Sequence, residues 1–437
     1  MSNQIGSLKM GQKLKKTPAG EIPVDWEARE LGDLCVTSPE YGANVSAIEF
    51  QEGMPRYVRI TDIKDDGTLI PTGAKSIRKE DAKEYLLGEG EIIFARSGAT
   101  VGKTYLYRKS DGPSAFAGYT IRFKPNSSYL LPEFLFQFTH SNFYYQWVKG
   151  MLRAGAQPNI NGSEYSGLIL PVPPIKEQDR IVGILSSVDA LVSKMSEGIE
   201  KNKELKKRLT RQLLTGGIGH KKFRKTEFGE IPADWSVATF QDVFDFLRTA
   251  NNSREDLGSV GEVGYLHYGD IHTKWRTKLD CDAVDLPRID TAKVEGIPFL
   301  QNGDLVLADA SEDYDGIGVS VEVSNITNQQ IVAGLHTMLL RDKAHRFVDG
   351  FRGYIQYMPI VRKGLIKAGT GVSVYSISKG NLRDIHISIP PLPEQKKITA
   401  ILQGLDETIE KAAVKLAKTV DLKTSLMNML LTGKVRV

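Results

Sequence analysis

The stretch of this sequence nearest to a chemical motif is Ser97-Gly98-Ala99-Thr100-Val101-Gly102-Lys103-Thr104, directly after the apolar run Ile92-Ile93-Phe94-Ala95. A phosphate-binding loop has glycine, four variable residues and Gly-Lys-Ser/Thr, and it opens a helix whose amides face the phosphates. Serine stands at 97 where the first glycine belongs, and Tyr105-Leu106-Tyr107 continues as a strand pattern. Both features argue against nucleotide binding. Two readings stay open: a structural hairpin, or a loop that touches a polyanion. The second rests on Arg96, Ser97, Thr100 and Lys103, which put guanidinium, hydroxyl and ammonium groups on a glycine-flexed turn.

Other chemistries find less. Methyl transfer to a base needs an Asn/Asp-Pro-Pro-Tyr/Phe loop, and neither Pro173-Pro174 nor Pro390-Pro391 follows Asn or Asp. The seven histidines lack metal spacing; His267 and His272 stand five apart, without His-Glu-x-x-His. Cys35 and Cys281 cannot build a disulfide scaffold or a cysteine zinc site, and they fit a reducing cytosol. The composition, 41% hydrophobic and 25% charged with a net charge of +4 and a pI near 8.7, is that of a soluble protein able to meet a polyanion. No run of 18 apolar residues is present and the N-terminus lacks a signal-peptide core, so a cytoplasmic location and no membrane are expected. The expectation is a binding protein with no catalytic residues and no metal.

The elements that must position such residues come from an internal repeat. Gly20-Glu21-Ile22-Pro23-Val24-Asp25-Trp26 recurs 209 positions later as Gly229-Glu230-Ile231-Pro232-Ala233-Asp234-Trp235. Pro173-Pro174-Ile175-Lys176-Glu177-Gln178 recurs 217 later as Pro390-Pro391-Leu392-Pro393-Glu394-Gln395. Between these anchors, Gly90 to Arg96 echoes Gly303 to Asp309, and Tyr57 to Ile63 echoes Tyr265 to Ile271. The offsets put one copy at about Gln12 to His220 and the other at about Lys221 to Val437. Such tiling implies a pseudo-twofold chain whose two ends meet at the same helix end.

Each Pro-Pro block opens a long amphipathic helix. Steps of four and three residues from Ile181 meet Leu185, Val188, Val192, Met195, Ile199, Asn202, Lys206, Leu209 and Leu213. From Ile398 they meet Leu402, Leu405, Ile409, Ala412, Leu416, Thr419, Lys423, Leu426 and Leu430. This is a period of 3.5, with the polar break at the same two steps in both copies. Asn202 with Lys206, and Thr419 with Lys423, either fix the register or face a partner. Glu177 and Glu394 suit the positive helix end, and Gly216 and Gly433 are the expected left-handed stops. Roughly 38 residues at about 1.5 Å each make a rod of order 55 Å. Lys201, Lys203, Lys206, Lys207, Arg208 and Arg211 crowd one end, as a solvated face or as contacts to phosphates or an acidic partner. Further helices are predicted over Pro132 to Lys149 and Phe347 to Lys363, among strands such as 91–95, 104–107, 119–123 and 167–170.

Two variable segments, each opened by Glu-Ile-Pro-x-Asp-Trp and closed by Pro-Pro-x-x-Glu-Gln plus a helix ending Leu-Leu-Thr-Gly, resemble the specificity subunits of type I restriction-modification systems. The likeness spans nearly the whole chain. It implies a mixed α/β (α+β) fold with an N-terminal extension (1–19), a strand-rich target-recognition domain with helices (20–172), a long helix (173–216), a basic linker (217–228), a second such domain (229–389), and a second long helix with a tail (390–437). The two helices would pack as an antiparallel coiled coil that spaces the domains and docks two methyltransferase subunits, with motor-nuclease restriction subunits joining through that complex. The partner in recognition is double-stranded DNA, each domain reading one half of a split, asymmetric target. S-adenosylmethionine, ATP and magnesium would belong to the partner subunits and no cofactor to this chain. The spacer and docking positions are the seam residues from Ile181 to Lys206 and, apart from Ala412, from Ile398 to Lys423. Base-reading candidates on expected loops are Arg59, Lys64, Arg96, Ser97, Lys103, Arg153, Gln157 and Asn159, then His267, His272, Lys274, Arg276, Asp309, Ser311 and Lys363. Trp26 and Trp235 are expected to be packing anchors. The rival readings are a helical assembly scaffold that reads no DNA and, disfavoured by the residues above, a nucleotide-binding enzyme using the Gly-Lys-Thr loop.

Overall fold

A computed structural model of the 437-residue chain describes residues 13–152, 157–371 and 374–437. It divides into two units: unit 1 runs to Glu197 and takes in Ala413–Val437, and unit 2 is Gly198–Ala412. The division cuts both long helices, Ile175–Gly216 and Leu392–Leu430, so each unit holds the start of one helix and the end of the other. Residues 13–197 and 413–437 therefore share unit 1. Among the described residues, no helix is long and apolar enough to cross a membrane.

In unit 1 the hairpin Leu14–Thr17/Gly20–Pro23 leads to Trp26. Strand Glu27–Glu30 then pairs antiparallel with Ile169–Val172, Glu27 opposite Val172, so the intervening segment leaves and returns side by side. That segment holds two four-stranded sheets. One has the order Glu40–Tyr41, Thr120–Phe123, Ile92–Ala95, Thr104–Leu106; the other has Ser114–Phe116, Arg56–Val58, Lys75–Ser76, Ile48–Glu49. Ile92–Ala95, Thr104–Leu106 and Thr120–Phe123 are buried at every position; the first is a continuous apolar run, as a strand covered on both faces requires, while the others bury Thr104, Thr120 and Arg122 as well.

Unit 2 repeats this plan. Hairpin Phe223–Thr226/Gly229–Pro232 precedes Trp235, and Ser236–Thr239 pairs with His386–Ile389, Ser236 opposite Ile389. Between them lie a five-stranded sheet (Phe244–Leu247, Thr337–Asp342, Leu305–Ala308, Ser320–Ser324, Lys278–Asp280) and a three-stranded one (Arg288–Ile289, Val263–Leu266, Gln330–Ala333).

The Glu-Gln pair that opens each long helix is a clamp. Gln178 accepts the Leu131 N–H at 2.8 Å and donates to the Tyr129 and Pro173 carbonyls; Gln395 does the same with Val348 N–H, Arg346 and Pro390. Glu177 accepts the indole N–H of fully buried Trp26 at 3.0 Å, and Glu394 that of Trp235 at 2.9 Å. The anchors expected from sequence thus hang on helix carboxylates that helix-dipole reasoning alone did not explain. A basic side chain completes each clamp. Arg436 spans Asp25 and Glu177, which raises its own basicity and holds the Asp25 carboxyl below the usual range. In unit 2, His220 stands between Asp234 (3.3 Å) and Glu394 (2.8 Å). These three could approach a metal ion, yet the Glu394 oxygens already accept from Ile218 N–H, the Trp235 indole and His220.

All twenty seam positions are buried or half-buried. In unit 1 the helices run antiparallel: Ile181 and Leu185 share a core with Met427 and Leu430, Met195 meets Thr419, and Lys423 pairs with Asp189 at 2.5 Å. In unit 2, Leu213 packs with Ile398 and Leu402, and Lys206 pairs with Asp406. Lys206 and Lys423 are repeat equivalents, as are Asp189 and Asp406. Both lysines therefore turn to the opposite helix, which decides one of the alternatives left open above.

Several expectations change. The first helix runs to Gly216, with Gly217 at φ 63° as its left-handed stop in place of Gly216; Gly433 (φ 67°) is as expected. The helix expected over Pro132 to Lys149 is two, Pro132–Phe138 and Asn142–Met151, because Ser141 caps the second by accepting the Tyr144 N–H. Its counterpart splits into a 3-10 turn, Arg352–Tyr357, and helix Pro359–Ala368, since Pro359 has no N–H to continue the ladder. The basic stretch 217–228 is not a free connector: Gly217 to His220 pack on Glu394, Phe223–Thr226 is a strand, and Arg224 donates to the Trp235 carbonyl at 2.8 Å.

Candidate nucleic-acid interface

The best-formed site candidate in unit 1 lies where the buried strand Ile92–Ala95 emerges. Phe94 packs against Phe123 (5.1 Å) and Tyr165 (4.9 Å), and the Tyr165 hydroxyl donates to the Ala95 carbonyl at 2.9 Å. The strand end is therefore rigid, and Arg96 is the first residue beyond it. The Arg96 N–H donates to the Tyr119 carbonyl (3.0 Å), and its carbonyl accepts the Ile160 N–H (2.9 Å). Its guanidinium stacks 5.0 Å from the Tyr41 ring centre, with Nε at 3.4 Å from Asn159 Oδ1. Ser97 bridges Asn159 strand-wise, Tyr119 is 63% exposed, and Gln157 is exposed nearby in sequence. This brings together Arg96, Ser97 and Asn159, three of the loop candidates, with Tyr41 and Tyr119, which no motif marked.

The Gly-Lys-Thr loop resolves against a phosphate site. Gly98 (φ 72°) and Gly102 (φ 91°) fold a tight connection, Thr104 starts a strand, and the only helical turn is the 3-10 turn Gly98–Thr100. Lys103 is turned back, pairing with Asp65 at 2.8 Å and donating to the Ile63 carbonyl at 3.3 Å.

In unit 2, Asp309 follows the buried strand Leu305–Ala308 and repeats the arrangement. Its N–H donates to the His336 carbonyl (3.1 Å), and its carbonyl accepts the Ile377 N–H (2.8 Å). Its carboxylate lies 3.3 Å from His336 Nδ1; burial pushes its pKa up while the neighbouring imidazole opposes that. Tyr268 packs 5.3 Å from the half-exposed His336.

Residues 23–207 and 352–418, more than half of the chain, match the sequence profile of the family described as "Type I restriction modification DNA specificity domain". The chain belongs to that family. The chain is 28% identical, over 98% of its own length and 97% of the other's, to a Methanocaldococcus jannaschii protein whose name assigns it to the MjaX type I restriction enzyme as specificity subunit. The MjaVIII specificity subunit of the same organism is 26% identical over 98% and 96%. Among solved structures, one described by the assembly and conformational transition of the type I R-M system superposes with a TM-score of 0.60 at 17% identity, covering 94% of this chain and 99% of that one. The type I S subunit from M. genitalium gives 0.54 at 14% identity, covering 93% and 96%. These likenesses concern the fold.

Across this specificity chain the remaining loop candidates separate by what already holds them. Arg59 is spent on Asp62 (2.6 Å) and the Gly73 carbonyl. Ser311 is buried and accepts the Asp313 N–H, and His272 is fixed to the Ala310 carbonyl at 2.8 Å. Lys274 pairs with Asp270 at 3.0 Å. Lys64 and Arg276 have exposed side chains. Lys363 is exposed as well, but lines a separate cavity of about 700 Å³ with Phe228, Lys367 and His386. Arg153 lies outside the described residues. In the helix cluster, Lys203 pairs with Glu200 and Lys206 is drawn into the seam, while Lys207, Arg208 and Arg211 are exposed.

His267, expected at the surface, is only 8% exposed. Its Nδ1 accepts the Gly269 N–H at 3.1 Å, so it caps helix Tyr268–Thr273 as the neutral ring, and burial lowers its pKa. A histidine with a depressed folded-state pKa adds stability above its unfolded value of about 6.5 and loses it as pH falls through the folded value. Unit 2 is thus expected to lose melting temperature between about pH 7 and pH 5. His267→Asn, which keeps a capping acceptor without titrating, flattens that fall; an unchanged pH profile in the variant rejects the assignment.

Proposed function

We propose that this chain is the non-catalytic DNA-reading subunit of a type I restriction-modification complex, with each unit reading one half of a split, asymmetric target. One observation carries the reading. The two units have the same backbone stations at the ends of Ile92–Ala95 and Leu305–Ala308, but fill them with Arg96, Tyr119 and Asn159 in one and Asp309, His336 and Ser376 in the other. A repeated frame with different hydrogen-bonding groups is what two unlike half-sites require, since backbone contacts position a protein on DNA and base-edge contacts specify. The shared clamps and seams fit a common platform, on which two methyltransferase subunits dock and through which motor-nuclease subunits join. S-adenosylmethionine, ATP and magnesium are assigned to those partners.

Binding of the full chain to duplex DNA over a salt series tests this against a pure assembly scaffold. The logarithm of the binding constant is expected to fall linearly with the logarithm of salt, with a slope of about −0.9 per phosphate neutralised. A slope near zero sinks the DNA reading.

A further inference from the structure

The equivalence of Arg96 and Asp309 goes further than a shared frame, because the two side chains are opposite in charge. Both follow a fully buried strand, and both are fixed by one backbone N–H given to a loop carbonyl and one carbonyl taking an N–H. The same loop even carries the same brace: the Thr120 hydroxyl donates to the Ala117 carbonyl, and that of Thr337, 217 residues on, to the Gly334 carbonyl. Position is thus held constant while chemistry changes.

The surroundings of each side chain differ accordingly. In unit 1 one face of the Arg96 guanidinium is covered by the Tyr41 ring and Nε is tethered to Asn159. Neither terminal nitrogen has a hydrogen-bond partner among the described residues, unlike Arg59 and Lys103, whose charges are already paired. A stacked, tethered guanidinium with two free N–H forks loses little freedom on making a bidentate contact. In unit 2 a carboxylate at that station is of no use against phosphate, which it repels. It suits a base edge that offers a donor, and His336 is its neighbour at 3.3 Å.

We propose that Arg96 and Asp309 are the equivalent base-reading positions of the two units, Arg96 gripping the O6 and N7 of a guanine and Asp309 accepting from the N4 amine of a cytosine in the major groove. This rests on the DNA-reading function proposed above. Tyr41 and His336 are the residues that orient the two readers.

Selection of bound duplexes from a randomised pool, with the full-length chain assembled with its methyltransferase subunits, tests the pair. Arg96→Ala is expected to lower the preference for guanine at one position of one half-site by about 10-fold or more, leaving the other half-site untouched. Asp309→Asn, nearly isosteric, is expected to switch one position of the other half-site from cytosine to adenine, because the amide grips adenine N6 and N7. Arg96→Lys and Asp309→Asn serve as mild variants should Arg96→Ala melt early. If Arg96→Ala weakens all sequences alike and shallows the salt slope by about one, Arg96 is a phosphate contact and the assignment is overturned. It is also overturned if both variants select the wild-type target. A wild-type chain that selects no sequence instead refutes the DNA-reading function itself.

Discussion

Exchanging residues 27–172 for the matching segment of a relative is expected to replace one half of the DNA target while the other half, and the number of base pairs between them, stay as they were. The structure makes this a clean exchange. Glu27 and Val172 are directly opposed in one antiparallel strand pair, so both junctions fall at one place and the guest segment closes on itself. Trp26, Glu177, Gln178 and the seam lie outside the exchanged segment and keep the platform. The affinity for the original half-site should drop toward the non-specific level, a loss of about a thousand-fold or more. Mapping methylated positions across a genome carrying the chimaera reads both halves at once. If both halves change together, the assignment of one unit to one half-site is wrong.

Glu177→Ala is expected to be the most damaging single substitution in the platform. The carboxylate is 6% exposed, accepts the indole N–H of Trp26, and pairs with Arg436 through two contacts. Its removal leaves a buried indole donor and a poorly solvated guanidinium, although Arg436 retains Asp25. Breaking a buried pair from one side costs about 3 kcal/mol or more. For a unit of this size that is a fall of about 6–12 °C in the melting midpoint. Glu394→Ala should cost less, because His220 meets it through one ring nitrogen, whereas Arg436 meets Glu177 through two guanidinium nitrogens. Calorimetry of the full chain separates the cases, and equal, small shifts would show that neither clamp stabilises its own unit.

Much of this was legible in the residues. The repeat marked the Glu-Ile-Pro-x-Asp-Trp boxes, the Pro-Pro-x-x-Glu-Gln openings and the seams, and each is a local or periodic signal. The pairing of Gly90–Arg96 with Gly303–Asp309 even aligned the two positions now assigned to base reading. Loop candidates fared unevenly for a physical reason. Charge and residue type mark what a side chain could do, not what it already touches. Arg59 next to Asp62 and Lys103 beside the Asp65 loop look available until the fold closes those turns. Tyr41, Tyr119 and His336 carried no motif, because they reach the stations through strand pairing and loop returns far apart in the chain.

The sequence by itself determined the duplicated plan, the two amphipathic helices and the family resemblance, since these are written in spacing, and spacing survives without coordinates. Only the tertiary structure decided that each unit is completed by the far end of the other copy's helix. Only it showed that Lys206 and Lys423 turn inward to Asp406 and Asp189, and that two buried glutamates carry the tryptophans. Those contacts join residues up to two hundred positions or more apart. Their energies depend on burial and on which partners the fold sets against each carboxylate, and neither is fixed until the chain has folded.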